Sequence, residues 1–439
     1  MNTRKIIVDI LDEVFFRGAY SNIELNKKLS NPKIDSKDKG LITEVVYGTI
    51  KHRKTIDVIL ENFVKSIDKI DEGVLNILRS SIYQMKYLDR VPDYAVVNEA
   101  VNLSKSVSVG LSKFVNGVLR NYLRNKDRKF GGNLRGSEKL AYEYSFEKWM
   151  VDLFIRQYGE EVAEKILKGL NTTPSMTVRV NSLKADYDEV LEKLEADGYD
   201  VEEGYICPEA IIIKKGSSIE KNLLHEEGLI TVQDESAMLV APLLNPAEGE
   251  TVMDLCSAPG GKTTHLSEIL MNTGKVYAFD IHEHKLALIE ESVKRLGITN
   301  VETNIMDATR LEGKYVEFAD KILLDVPCSG LGIIRKKPEI KWTKNSRELQ
   351  NIVKIQREIL ENAWNYLKKG GEIVYSTCTL NKRENEEVID SFLEKHNDCS
   401  VENSFIGKND NIIYNGNGSI TILPNEHMDG FFMVKLKKN

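Results

Sequence analysis

The chain has 439 residues, of which 41% are hydrophobic, and it carries 60 Lys and Arg against 67 Asp and Glu, a formal net charge of −7. That hydrophobic content is enough for ordinary buried cores and excludes a wholly disordered chain, and the length suggests about three domains. The charge is unevenly divided, because residues 1–130 hold 23 basic and 16 acidic side chains (net +7) whereas residues 131–439 hold 37 and 51 (net −14). A net-basic N-terminal segment followed by a net-acidic remainder suggests an anionic partner.

The five cysteines are scattered along the chain, at Cys207, Cys256, Cys328, Cys378 and Cys399. None belongs to a Cys-x-x-Cys pair, which argues against a zinc ribbon or a thioredoxin-type redox motif. An odd, scattered set in a long chain predicts reduced thiols and a cytoplasmic protein without a metal. The first residues contain no uninterrupted apolar core and the apolar runs elsewhere are short, so neither a signal peptide nor a membrane span is predicted.

Residues 1–130 are predicted to be all-helical, because apolar residues recur at helical spacing until a Gly-rich break at 131–132. Within this segment the stretch 113–124 has two faces at about 100° per residue. The apolar face holds Phe114, Val115, Val118 and Tyr122, and the opposite, basic face holds Lys113, Arg120 and Arg124. A basic helix face is often only solvated surface, but its place in the one net-basic segment favours contact with RNA.

A small α/β unit is predicted in the middle of the chain, after a helical stretch at residues 140–170. Its strands are Met176–Asn181 and Ala210–Lys214, and a helix with an apolar stripe covers Asp186–Ala196 between them.

From about residue 245 onward, strands alternate with helices. The predicted strands are Thr251–Cys256, Lys275–Asp280, Val301–Met306, Lys321–Val326 and Glu372–Ser376, and a helix is predicted over Glu348–Leu367. Apolar strands with helical crossovers predict a doubly wound parallel sheet, a Rossmann-like α/β domain. Ligands of such sheets bind beyond the carboxyl ends of the strands, so the functional residues are expected there.

The first of these strands contains Asp254 and leads into a turn made of Cys256, Ser257, Ala258, Pro259, Gly260, Gly261 and Lys262. Two glycines let the backbone turn sharply and approach a ligand, although any tight turn could use them. The next two strands end at Asp280 and Asp307, where a carboxylate can bind a ribose or an adenine amino group, or simply cap a helix. Acidic residues at three successive strand ends favour a nucleoside ligand. The absence of a pyrophosphate-binding fingerprint favours S-adenosylmethionine (SAM) over NAD.

Two further strand ends carry thiols, Cys328 shortly after Asp325 and Cys378 shortly after Ser376. A lone cysteine is more often a small buried hydrophobe, but two at neighbouring strand ends favour catalysis. A thiolate that adds to C6 of cytosine makes C5 nucleophilic enough to accept a methyl group, and a carboxyl group such as that of Asp325 near N3 assists the addition. The residues alone do not decide which thiol attacks.

These motifs together carry a family resemblance. The run Asp-Leu-Cys-Ser-Ala-Pro-Gly-Gly-Lys from Asp254, Asp-Val-Pro-Cys-Ser-Gly from Asp325 and Ser-Thr-Cys-Thr from Ser376 resemble the RNA cytosine-5 methyltransferases of the NOL1/NOP2/Sun group. Within that group the chain is most similar, over its whole length, to bacterial enzymes that act on 16S rRNA. Arg179–Asn181, Gln233–Ser236 and Asp429–Phe432 also match the group's pattern.

The resemblance implies three domains. They are a NusB-like helical RNA-binding domain over residues 1–130, a helical plus RRM-like α/β linker domain over 140–240, and a Rossmann-like catalytic domain over 241–439. The implied reaction is SAM-dependent methylation of cytosine C5 in 16S rRNA, on free rRNA or an early ribosomal particle, without a membrane partner. Nothing in the sequence requires more than a monomer.

The resemblance also implies a role for each motif residue. The turn from Cys256 through Lys262 lines the SAM site, Asp280 holds the ribose, and Asp307 lies near the adenosine. Asp325 borders both the methionine end of the cofactor and the target base. Cys378 is the nucleophile, through a covalent adduct with cytosine C6, and Cys328 assists release of the product.

A basic stretch with an aromatic residue follows Cys328. It contains Arg335, Lys336, Lys337, Lys341 and Trp342, and this combination of charge and an aromatic ring predicts an RNA contact or else a solvated basic loop.

Three alternative functions remain to be weighed. DNA as the substrate is disfavoured by the Thr-Cys motif and the NusB-like start, whereas a tRNA cytosine-C5 methyltransferase would share the catalytic motifs. A non-catalytic RNA-binding ribosome assembly factor would be expected to have lost one or both thiols.

Overall fold

The computed structural model describes residues 2–105, 108–216 and 218–439. Contacts divide the chain into two compact units. The first unit combines Met1–Asn171 with the short segment Lys336–Lys344, and the second combines Thr172–Arg335 with Asn345–Asn439. The domain boundaries at residues 130 and 240 stay a prediction.

The first unit is built from helices. They are α1 (Thr3–Arg17), α2 (Ser21–Leu29), α3 (Ser36–Lys51), α4 (Arg53–Leu60), α5 (Glu72–Tyr87), α6 (Asp93–Lys105), α7 (Val109–Arg124), α8 (Gly136–Tyr144), α9 (Lys148–Tyr158) and α10 (Glu160–Gly169), with a 3₁₀ turn at Ile67–Lys69. Side chains of Asn2, Asp35, Asp71 and Ser108 accept hydrogen bonds from the first turns of α1, α3, α5 and α7. The all-helical prediction is confirmed over 2–105 and 108–130, and residues 106 and 107 lie outside the described residues.

Helix α7 has the two predicted faces. Val115, Val118 and Tyr122 are buried in the core of the first unit, together with Leu119. Lys113, Arg120 and Arg124 are exposed. Phe114 departs from the prediction because 37% of it remains exposed, so it lies at the border of the apolar face.

The segment Lys336–Lys344 packs inside the first unit, although its neighbours in sequence belong to the second. Lys341 is fully buried, and its Nζ donates to Asn171 Oδ1 at 2.7 Å, Lys51 O at 3.0 Å and Tyr144 O at 3.4 Å. Burial lowers the pKa of Lys341 well below its usual value. The prediction that Lys341 offers charge to RNA is therefore wrong, because its ammonium group is occupied by oxygen atoms of the protein interior.

Lys341→Met is expected to lower the free energy of unfolding by about 1–3 kcal/mol, because the substitution keeps most of the volume but leaves buried oxygen atoms without a donor. Denaturant titration measures this loss. Lys113→Met removes a lysine from the exposed face of α7 and serves as the control, with an expected change within about 0.5 kcal/mol. Equal effects of the two substitutions would contradict the interior role of Lys341.

The second unit begins with a four-stranded antiparallel sheet. Its elements are β1 (Met176–Val180), α11 (Tyr187–Ala196), β2 (Asp200–Glu203), β3 (Ala210–Lys215), α12 (Leu223–Glu226) and β4 (Ile230–Val232), with a 3₁₀ turn at Ile219–Lys221. The strand order is β2-β3-β1-β4, with β1 in the interior of the sheet. This arrangement confirms the predicted small α/β unit, and β2 and β4 are additional strands.

The rest of the second unit surrounds a nine-stranded mixed sheet. Its elements are α13 (Glu235–Met238), α14 (Val240–Leu244), β5 (Thr251–Asp254), α15 (Gly261–Ile269), β6 (Lys275–Asp280), α16 (Glu283–Leu296), β7 (Val301–Ile305), β8 (Ala319–Asp325), α18 (Ser346–Tyr366), β9 (Leu367–Thr377), α19 (Glu386–Leu393), β10 (Cys399–Val401), β11 (Ile412–Tyr414), β12 (Ile420–Ile422) and β13 (Phe431–Lys438), with a 3₁₀ turn at Gly313–Tyr315. The short helix α17 (Ile340–Thr343) lies in the segment of the first unit. Among the described residues, none of the helices combines the length and apolar character needed to cross a membrane.

The predicted parallel sheet is confirmed for five strands, in the order β7-β6-β5-β8-β9. The strand order reverses at β5, where β6 and β8 lie on opposite sides, and this reversal is where a doubly wound sheet binds ligands. The sheet continues beyond β9 with antiparallel strands, because β13 pairs with β9. The carboxyl ends of β5, β8 and β9 therefore meet at one edge.

Candidate active site

Two thiols lie together at this edge. Cys328 follows β8, Cys378 follows β9, and their Sγ atoms are 3.3 Å apart. The Cys328 thiol has a raised pKa, well above its usual value, because of its hydrogen bond to Cys378 and because it is buried. Gly332 N donates to Cys378 O at 2.9 Å, so the loop after β8 also fixes the backbone at the second cysteine. The structure thus brings together the two thiols that the sequence places at neighbouring strand ends.

A buried carboxylate organises both thiol loops. Glu384 is fully buried and accepts from Ser329 N at 2.8 Å and from Ser329 Oγ at 2.6 Å. Ser329 Oγ is also 2.7 Å from Thr379 Oγ1, which joins the residue after Cys328 to the residue after Cys378. Glu384 was not predicted as a site residue, because a polar run after a strand equally predicts a solvated turn.

An ion pair lies at the same strand ends. Lys262 Nζ is 2.7 Å from Asp325 Oδ2, and Ser376 Oγ donates to Asp325 Oδ1 at 2.9 Å. Burial disfavours the charge on Lys262, but the Asp325 carboxylate and its hydrogen bond outweigh burial and raise the pKa of Lys262. The ammonium group also lies 5.4 Å from the centre of the Phe431 ring. Lys262 therefore links the turn after β5 to the acidic group beside the thiols.

Asp254, the last residue of β5, binds the helix that follows the turn. It is 1% exposed, and its Oδ2 accepts from Thr263 Oγ1 in the first turn of α15 at 2.7 Å. Burial raises the pKa of Asp254 to about 7, against the opposing effect of the Thr263 hydrogen bond. Its Oδ1 has no hydrogen-bond partner within the described part of the chain.

The turn itself is held by backbone contacts. Ser257 donates to Phe279 O through both its N–H and its Oγ, each at 2.8 Å, and Gly260 N donates to Ser257 O at 2.7 Å. Gly260 has φ +102°, and a Cβ there would stand 3.2 Å from Ile289 Cα, so a larger residue would be strained and crowded. Gly260 is buried and Gly261 is partly buried, so the two glycines serve the sharp turn into α15.

Asp280 and Asp307 follow the next two strands. Asp280 is 8% exposed, and its Oδ1 accepts from His282 N at 2.9 Å. Asp307 Oδ1 accepts from Thr309 Oγ1 at 2.6 Å and from Thr309 N at 3.1 Å, and the Thr309 side chain lowers the pKa of Asp307. Neither carboxylate caps a helix, because the residue that precedes α16 is His282 and no helix begins directly after Asp307. These bonds close local turns and orient the carboxylates, and Asp307 Oδ2 also pairs with Arg310 Nε at 3.2 Å.

Arg335 does not lie on an RNA-facing surface. Its guanidinium is buried, with Nε 2.5 Å from Asp429 Oδ1 and Nη2 3.0 Å from Asp234 Oδ2. It also donates to the backbone oxygens of Asn425, Glu426 and His427. The prediction of an RNA contact is therefore wrong for Arg335, because its donors are used inside the second unit.

No group of three or more His, Cys, Asp or Glu side chains within residues 2–105, 108–216 and 218–439 is arranged to hold a metal ion. The polar groups at the strand ends are carboxylates, hydroxyls, the backbone of the turn and one ammonium group. These groups suit a nucleoside with an attached amino acid, and the unpartnered Asp254 oxygen lies beneath the same turn.

Comparisons with known proteins agree across the chain. The family model for the 16S rRNA methyltransferase RsmB/F matches residues 241–437, the NusB family matches residues 1–124, and the ferredoxin-like domain of RsmF/B-like methyltransferases matches residues 146–220. A probable ribosomal RNA small subunit methyltransferase B from Bacillus subtilis is 38% identical over 442 residues, 100% of this chain and 99% of the relative. A ribosomal RNA small subunit methyltransferase B from Photorhabdus laumondii is 32% identical over 100% of this chain and 99% of its own length.

A solved structure has a similar fold over most of the chain. NSun6 from Pyrococcus horikoshii, solved with the SAM analogue SFG, is 25% identical, with a TM-score of 0.61 over 68% of this chain and 99% of that chain. The family resemblance and the predicted fold class, a NusB-like helical domain, a small α/β domain and a methyltransferase domain, are confirmed. The chain therefore belongs to the RsmB/F family of SAM-dependent 16S rRNA methyltransferases.

Proposed function

We propose that this methyltransferase acts on C5 of one cytosine in 16S rRNA, through a covalent bond between Cys378 and C6 of the base. The observation that carries the proposal is the thiol pair, 3.3 Å between Sγ atoms, beside the ion pair of Lys262 and Asp325. Methyltransferases that act on an exocyclic amine have no need of a thiol, whereas C5 of cytosine requires activation.

The proposed reaction proceeds through addition and elimination. The Cys378 thiolate bonds to C6, and the electron pair displaced from the C5–C6 double bond makes C5 nucleophilic. SAM, when bound, would supply the methyl group that C5 accepts, and breakage of its S–CH₃ bond would leave S-adenosylhomocysteine. A base then removes the C5 proton, the double bond re-forms, and the bond between sulfur and C6 breaks to release Cys378.

The proposed division of labour between the thiols follows the family resemblance. Cys328 would assist elimination by donating a hydrogen bond to the Cys378 sulfur as the bond between that sulfur and C6 breaks. Its Sγ is 3.3 Å from Cys378 Sγ, within reach of any base bonded to Cys378. Asp325 is proposed to border the base and to assist the addition at C6 through a hydrogen bond to N3, for which its carboxylate must first take up a proton and release the ion pair with Lys262.

The proposed cofactor site is the edge formed by the turn Cys256–Lys262, Asp280 and Asp307. Asp280 would hold the ribose and Asp307 the adenosine, because their oriented carboxylates can accept hydrogen bonds from hydroxyl and amino groups. Gly260, with φ +102°, permits the tight turn at the start of α15, which is proposed to bind the methionine end that Asp325 also borders.

The test is methylation of 16S rRNA by the purified chain with isotopically labelled SAM, followed by bisulfite sequencing to locate 5-methylcytosine. We expect one labelled cytosine in 16S rRNA, and loss of the same signal in cells that lack the protein. Labelling of tRNA alone would favour the tRNA alternative. Absence of label in any RNA would favour a non-catalytic assembly factor.

We also propose that the basic face of α7 (Lys113, Arg120 and Arg124) binds the rRNA backbone. Replacing all three by Gln is expected to weaken RNA binding and to reduce the slope of log K against log salt by about 2, because three phosphate contacts are lost. Filter binding at several salt concentrations measures the slope. A control replaces Lys139, Lys148 and Lys165 by Gln, which removes the same charge from the exposed surface of α8, α9 and α10. An unchanged slope in the α7 variant would mean that this face is only solvated surface.

A further inference from the structure

We infer that Arg179, on the four-stranded sheet, is a positioning residue for the SAM-binding turn after β5. The small α/β domain would then support the cofactor site, in addition to any part it has in linking the other domains. The inference rests on the proposed cofactor site.

Arg179 lies on the interior strand β1, and its side chain is fully buried. Nη2 is 2.7 Å from Glu268 Oε1, and Nε is 3.2 Å from Glu268 Oε2. The remaining contacts of the guanidinium are with Gly261 O at 3.0 Å, Thr264 Oγ1 at 3.2 Å and Gln233 Oε1. One side chain thus holds both the first turn of α15, at Gly261 and Thr264, and the turn that contains Glu268.

The position of Gly261 matters for chemistry because it connects the backbone turn to the ion pair. Gly261 is the first residue of α15, Gly260 precedes it with φ +102°, and Lys262 follows it with its Nζ 2.7 Å from Asp325. A shift of Gly261 O would move both the glycine backbone that approaches the cofactor and the root of the Lys262 side chain. Arg179 therefore acts through the turn without being required to touch the cofactor.

A buried ion pair can also serve stability alone. Arg295 on α16 provides a comparison, because its side chain also donates hydrogen bonds to the small α/β domain. Its Nη1 donates to His225 O at 2.7 Å and to Ile230 O at 2.9 Å, and its Nη2 donates to Thr231 Oγ1 at 3.1 Å. Arg295 makes no such contact with the turn after β5, so its loss should affect stability without affecting cofactor affinity.

The test compares four variants of the full chain for binding of S-adenosylhomocysteine by calorimetry, for the KM values of SAM and rRNA, and for thermal stability. Arg179→Met is expected to raise the dissociation constant of S-adenosylhomocysteine and the KM for SAM by about tenfold or more. This is the size of effect expected when one charge-assisted hydrogen bond, here the bond to Gly261 O, is lost. The KM for rRNA should stay unchanged. Arg179→Met/Glu268→Gln removes the uncompensated carboxylate. It should recover thermal stability but not cofactor affinity, because the hydrogen bond from the guanidinium to Gly261 O is still missing and the contact from Thr264 Oγ1 that remains, at 3.1 Å, is weaker.

The other two variants exclude a purely structural effect. Arg179→Lys keeps a charge beside Glu268 but lacks the planar guanidinium that reaches Gly261 and Gln233 together. This variant should therefore bind S-adenosylhomocysteine more weakly than wild type. It keeps the inference testable even if both methionine variants fail to fold. Arg295→Met should lower the melting temperature and leave the dissociation constant unchanged. Wild-type affinity in the double variant or in Arg179→Lys would overturn the inference. A wild-type chain that binds no S-adenosylhomocysteine would instead overturn the proposed cofactor site.

Discussion

Cys378→Ala is expected to lower methyl transfer to rRNA by at least about 10⁴-fold, since removal of a covalent nucleophile leaves only binding and orientation to accelerate the reaction. The affinity for S-adenosylhomocysteine should stay within about twofold of wild type, because the carboxylates and glycine backbone proposed to bind the cofactor lie on other strand ends. This separation between chemistry and binding is the signature of a nucleophile.

The loss is measured as turnover of labelled SAM with 16S rRNA, next to calorimetric binding of S-adenosylhomocysteine. Cys399→Ala is the matched control, because Cys399 is a partly buried cysteine on β10, paired with the far end of β13. It should keep wild-type turnover. Retained turnover in Cys378→Ala would reject the assignment of the nucleophile.

The parallel part of the sheet was predictable from sequence to within a few residues at most strand ends. Buried parallel strands form apolar runs, and β6 (Lys275–Asp280) has the predicted bounds because a turn follows directly. The antiparallel strands β10–β13 were not predicted, because three of them have only three residues each and no amphipathic period of their own. Their place in the sheet depends on pairing with β9 through β13, which is a tertiary effect.

The candidate site was partly predictable for a different reason. Parallel strands end at one edge, so the residues after β8 and β9 had to lie near each other, and the thiols do. The partners that fix them were not predictable. Glu384 lies 55 residues from Ser329 along the chain, and no local pattern connects them.

Basic residues produced the clearest errors, at Arg335 and Lys341. Arg and Lys are exposed in most proteins, so a basic run beside a catalytic motif predicts a surface for phosphates. Here the acceptors of Arg335 lie 94 and 101 residues away, at Asp429 and Asp234. A basic side chain next to a catalytic motif in sequence is therefore weak evidence for an RNA contact, and the RNA contact of residues 1–130 stays a prediction.

Cys328→Ala is expected to stop the reaction after addition, so that a covalent complex of protein and rRNA accumulates in the presence of SAM. Cys328 Sγ lies 3.3 Å from the Cys378 sulfur, and this is the proposed position for a group that assists elimination. Without it, the bond between Cys378 and C6 should persist through denaturation, and turnover should fall by about 10²–10⁴-fold, as for loss of an acid–base group.

The complex is detected as a band that retains labelled rRNA on a denaturing gel. The double variant Cys328→Ala/Cys378→Ala is the control and should form no such band, because the sulfur that bonds to C6 is absent. A stable complex in the double variant would assign the covalent bond to a different residue. Normal turnover of Cys328→Ala without any complex would reject the release role, and the raised pKa of Cys328 would then reflect only its burial against a neighbouring thiol.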